Sequence, residues 1–165
     1  MLQTADYSDA QLCEVQRIQA LVLLMPYHID MRDWPKMQGL FADQVDVDHR
    51  SISGEEPATI SREELGARWQ RGLETFSATQ HLAGCPLVDL ESTMEAGAKM
   101  HFQAQYFVRS AGAELKYTLG GLYDMRVVRT PAGWRISALT IKKVWDWGDR
   151  RLIEEAVARG VPVVR

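Results

Sequence analysis

From residue 77 onward the chain reads as a succession of long β-segments, and this constrains the fold more than any other feature. Four stretches, roughly 77–90, 97–110, 114–130 and 133–146, have strand character. Turn signals at Ala111-Gly112 and Thr130-Pro131-Ala132-Gly133 separate the later ones. Connections this short suit hairpins, so neighbouring strands are expected to run antiparallel.

The first part of the chain is mostly helical. Ser8-Asp9-Ala10-Gln11 is a capping box, followed by Leu12, Val15, Ile18, Val22 and Met25 at helical spacing. Pro26 lacks an amide donor and crowds the preceding turn, so a kink is expected there. If the helix resumes, Tyr27 and Asp30, three residues apart, share a face. Asp33-Trp34-Pro35 opens a second helix with apolar Met37, Leu40 and Phe41. Val45 to Arg50 alternates with period two and reads as a strand with His49 on its buried side. Ser61-Arg62-Glu63-Glu64 is a second capping box, opening a helix through Leu65, Arg68, Trp69 and Leu73. A last short helix is expected from Asp149 to Ala158, stopped by Gly160 and Pro162. Helices first and strands afterwards predict one α+β domain over 1–165, with helices packed on one face of a curved, largely antiparallel sheet.

Charge and composition narrow the function classes. The net charge is −3, which leaves no basic footprint for nucleic acid. No apolar run approaches the roughly 18 residues of a membrane span. The N-terminal residues carry no basic leader region. Cys13 and Cys85 match no metal or redox spacing. We expect both to be buried free thiols in a reducing cytoplasm. The four histidines show no recognised ligand spacing, and Gly120-Gly121 lies mid-strand rather than before a helix, so neither metal nor cofactor is expected.

His81 is the residue best suited to proton transfer near neutral pH, and Asp30 is an acid that could orient it. With no Ser or Cys partner in view, such a pair suits proton abstraction rather than acyl transfer.

The order and spacing of several short motifs add to this reading. Asp30-(three residues)-Trp34, Leu40-Phe41-Ala42-Asp43, Thr79-Gln80-His81, Gly120-Gly121-Leu122-Tyr123 and Gly133-Trp134-Arg135-Ile136 resemble the nuclear transport factor 2-like superfamily. Within it, the chain is most similar to the scytalone dehydratase and SnoaL-like branch, over nearly all of residues 8–150. The resemblance implies a cone of helices on a bent sheet around a deep apolar pocket. It matches Asp30 and His81 to the family's supporting aspartate and catalytic histidine. His49 stands where scytalone dehydratase has a tyrosine, and His101 falls near its second histidine, although strand parity puts His101 on a polar face. Ile29 replaces the tyrosine before the aspartate, with Tyr27 as its substitute from the same helix. The pocket asparagine falls near Gly121, so that group is missing. The implied activity is a cofactor-independent lyase acting on a small apolar, aromatic or polycyclic substrate, with isomerase, cyclase and formaldehyde-releasing chemistry as relatives. A non-catalytic binding or assembly subunit is the alternative, since fold does not fix function. Apolar residues at both strand parities and the family together imply a homotrimer, or else a dimer.

Overall fold

The computed structural model describes residues 7–110 and 113–158. It is an α+β fold: a curved, unclosed, seven-stranded mixed sheet with helices packed against it. The N-terminal helix α1 (Asp9–Asp30) begins with the expected capping box and stays helical through Pro26. Its buried stripe, Ile18, Leu21, Val22, Met25 and Ile29, faces the sheet. Arg32, in the left-handed region at φ 56°, turns the chain away after the helix.

Helix α2 (Trp34–Gln38) is only five residues long and is capped by Asp33. Phe41, expected on that helix, instead begins strand β1 (Phe41–Asp48). The strand ends one residue before His49, which starts the short helix α3 (Arg50–Ser53). A strand not anticipated from sequence, β2 (Ala58–Ser61), pairs antiparallel with β1. Helix α4 (Arg62–Leu73) follows, with Ser61 accepting from the amide of Glu64.

The predicted strand 77–90 is two strands, β3 (Ala78–Ala83) and β4 (Leu87–Leu90), broken at 84–86, which include Gly84 and Pro86. Pro86 has no amide to give a ladder, and both strands pair instead with β5 (Glu95–Ser110). Strands β6 (Ala113–Thr130) and β7 (Gly133–Gly148) complete a sheet ordered β2-β1-β7-β6-β5-β3, with β4 beside β5. The β5–β6 and β6–β7 pairs are antiparallel as expected, but β1 joins β7 in parallel. Helix α5 (Arg151–Ala158) packs against α4 and β6. The predicted turn at Ala111-Gly112 and the helix stop at Gly160 and Pro162 lie outside the described residues.

The β6–β7 register jumps from Gly120↔Trp145 to Gly121↔Lys143, leaving Val144 as the extra residue of a bulge. The shift puts Trp145 and Trp147 on the outer face, while Asp146 turns to meet the hydroxyl of Tyr117 at 2.9 Å. Cys13 and Cys85 are exposed, contrary to the expectation of buried thiols: Cys13 is off the apolar stripe of α1 and Cys85 is in the β3–β4 break. Among the described residues no helix is long and apolar enough to cross a membrane.

Candidate active site

Asp30 is the last residue of α1, and this brings its carboxylate to the edge strand β3. An edge strand has backbone amides that no neighbouring strand takes. Asp30 takes one of them: its Oδ2 accepts the main-chain N–H of His81 at 2.6 Å. Its Oδ1 meets His81 Nδ1 at 2.7 Å and accepts the Thr79 hydroxyl at 2.9 Å. Thr79 and His81 alternate with Gln80, so both reach the same carboxylate from one face of β3. The His81 side chain is 4% exposed and that of Asp30 is 12% exposed. Burial pushes the Asp30 carboxyl upward, but the hydrogen bonds and charge of His81 outweigh it and hold it below the usual carboxylate range. An ionised acceptor at Nδ1 places the ring proton there and leaves the lone pair on Nε2.

His81 borders a cavity with about 690 Å³ of atom-free space, its mouth included. Ile29, Leu73, Phe76, Leu119, Ile141 and Ile153 supply most of its apolar wall. Ile153 belongs to α5, so the C-terminal helix closes one side.

His49 also borders the cavity, stacked on Trp69 with ring centroids 6.0 Å apart. Burial pushes its pKa down to about 4, so the ring is neutral at neutral pH. Its Nε2 is buried without a hydrogen-bond partner among the described residues. Ser53, one turn on, borders the same cavity but spends its hydroxyl proton on the His49 carbonyl at 3.1 Å.

Two residues that sequence reasoning placed near substrate are elsewhere. Tyr27 is 56% exposed. The buried stripe of α1 runs through Met25 and Ile29, and a residue two positions from each lies about 200° round the helix. His101 is exposed on the outer face. The β5–β6 register runs unbroken from Glu95 to Ser110, so no bulge reverses its parity, and Met100 and Phe102 face inward instead. His28, read as structural, is buried. Among the described residues no three His, Cys, Asp or Glu side chains gather as a metal-binding group.

Two cavity residues were not singled out from sequence: Tyr106 on β5 and Tyr123 on β6. Tyr106 meets the His81 ring edge-on at 6.2 Å. Burial pushes both phenols well above their ordinary value, and the Asp30 charge adds to the shift. The available signal was a hydroxyl on an apolar strand face, alone among the described side chains of that face on β5 and joined by Tyr117 on that of β6.

Comparison with known proteins agrees with this architecture. No curated protein matches the chain. Among solved structures, the Kfla4162 protein of Kribbella flavida superposes with a TM-score of 0.75 at 23% identity, covering 86% of this chain and 99% of that one. A proposed scytalone dehydratase from Novosphingobium aromaticivorans has a TM-score of 0.74 at 21% identity, covering 96% and 99%. A type 2 hexachlorocyclohexane dehydrochlorinase has a TM-score of 0.70 at 14% identity, covering 86% and 93%. At these identities the structures establish the fold. In sequence, residues 10–140 match the SnoaL-like domain, and by that match over most of its length the chain belongs to the SnoaL-like domain family.

Proposed function

We propose that the chain is a lyase that removes a proton from carbon and expels a group from the adjacent carbon, on a small and largely apolar substrate. One observation carries the reading: a buried imidazole, fixed at Nδ1 by an ionised aspartate, borders an apolar cavity. His81 Nε2 takes the proton from the substrate carbon. The C–H electron pair becomes the new double bond, and the bond to the leaving hydroxyl or halide breaks. The imidazolium then returns the proton to a departing hydroxyl, so water leaves. A departing halide is too weak a base to take it and leaves as the anion, the imidazolium giving its proton to solvent. In both cases the dyad ends as it began. Atoms and charge balance without a cofactor. A positioned base of this kind contributes about 10² to 10⁴ in rate. An apolar wall lowers the local dielectric, which strengthens the Asp30–imidazolium interaction as it forms. Two structurally similar proteins are described as a proposed dehydratase and a dehydrochlorinase, and both names denote eliminations. A screen of aromatic β-hydroxy and β-halo compounds, followed by absorbance of the new conjugated double bond, tests the reading. Turnover that disappears in His81→Ala is the expected result. Equal turnover in wild type and His81→Ala overturns it.

A further inference from the structure

A histidine base needs somewhere to send the electrons of the C–H bond, and the cavity that His81 borders has two further groups suited to receive them. Tyr106 and Tyr123 lie on adjacent hydrogen-bonded strands, but their rungs are far apart: Tyr106 pairs with Tyr117, and Tyr123 with Met100, six residues further along β5. They reach one cavity because the sheet curves. Among the described residues, no protein group hydrogen-bonds either hydroxyl. The contrast is with Tyr117, the strand neighbour of Tyr106, whose hydroxyl donates to Asp146 at 2.9 Å. Buried phenols normally find a partner. Two that lack one, around a cavity that His81 also borders, are donors prepared for a ligand.

Resting on the elimination reading above, we infer that Tyr106 and Tyr123 hold the oxygen of an enolate, and that the substrate is therefore a carbonyl compound whose reacting C–H lies next to the C=O. The C–H electron pair first forms the enolate C=C while the carbonyl pair moves to oxygen. The developing oxyanion accepts the two tyrosine O–H groups while His81 holds the proton. Re-forming the C=O then moves the enolate pair into the new double bond and expels the leaving group from the adjacent carbon. Burial and the Asp30 charge keep both phenols protonated, so they act as donors and do not compete with His81 as bases. The other hydroxyl bordering the cavity, on Ser53, has already committed its proton to His49. The tyrosines lie on β5 and β6, away from the helix positions 27 and 29.

The inference is tested without the natural substrate, using 4-nitrophenol as the probe. Its phenolate is planar with delocalised charge, like an enolate, and its absorbance reports ionisation. Wild type is expected to bind it as the phenolate. Tyr106→Phe and Tyr123→Phe are each expected to raise Kd by about 10-fold or more, the size of a lost hydrogen bond to a charged acceptor. Unchanged Kd in both tyrosine variants, or no phenolate bound by wild type at millimolar concentration, overturns the inference. Circular dichroism checks folding. If a variant does not fold, a series of para-substituted phenols on wild type decides: affinity that tracks phenolate basicity supports the two donors, and affinity indifferent to it overturns them. Loss of turnover in His81→Ala is scored separately, so the dyad reading and this one fail on different measurements.

Discussion

The carboxylate that holds the ring of His81 also holds its backbone: one oxygen of Asp30 meets Nδ1 at 2.7 Å and the other the main-chain amide at 2.6 Å. Ring orientation and strand position are therefore set by a single side chain. An Asp30→Asn amide can accept only one of these bonds and presents N–H groups to the other donor. We expect turnover to fall by at least ~10²-fold. ¹⁵N shifts of the imidazole should show loss of the single Nδ1–H tautomer. A variant with both turnover and tautomer intact would contradict the assignment of Asp30.

His49 gives the fold a pH dependence. Its folded pKa is about 4, against an ordinary value of 6.5. Between those values the unfolded chain binds a proton that the folded chain refuses, so stability is full above about pH 6.5 and declines as the pH falls towards 4. The loss from pH 7.5 to 5 is on the order of 2 kcal/mol. Urea titrations at the two pH values should show it in wild type and show much less of it in His49→Phe. Equal slopes in both proteins would remove the claim.

Gly121 and Gly120 should respond differently to alanine. A Cβ at Gly121 falls 2.1 Å from the carbonyl oxygen of Lys142, which is fixed in the ladder. A Cβ at Gly120 falls 2.3 Å from the ring of Trp145, a side chain 47% exposed that can swing outward. Gly121→Ala should destabilise by about 1–3 kcal/mol or more, and Gly120→Ala by less. Thermal melts compare the two directly, and the reverse order would show the bulge to be more pliable than drawn.

We propose that the chain self-associates through the outer face of the sheet. There Leu82, Val144, Trp145 and Trp147 are 53%, 73%, 47% and 70% exposed. Apolar exposure of this kind is uncommon on a soluble monomer. Light scattering should return a multiple of 18.7 kDa, with a trimer expected, and Val144→Glu with Trp147→Glu should return one chain mass. A wild-type mass of one chain would end the proposal.

Local chemistry made much of the fold readable. Ser8 and Ser61 cap their helices as their spacing indicates, and His49 is buried as expected, although the strand predicted to carry it stops one residue earlier. Asp30 and His81 meet, although 51 residues separate them. The misses have physical causes. Tyr27 was assigned by its spacing to Asp30, but the helix face is chosen by Met25 and Ile29 against the sheet. Tyr106 sits among apolar neighbours on its strand face, and its hydroxyl acquires meaning only beside a cavity. The bulge at Val144 and the parallel partner of β1 depend on contacts between distant segments, which no local pattern encodes.

That parallel pair also bears on how the site is distributed along the chain. Residues 46–48 align with 138–140, so the strand leading into His49 has a sheet neighbour some ninety residues away. Asp30 and His81 need only α1, β3 and β5 to meet, whereas the cavity that His81 borders also takes Ile141 from β7 and Ile153 from α5. The proton-transfer pair is thus held within the first two-thirds of the chain, and the wall around its substrate is shared between early and late segments.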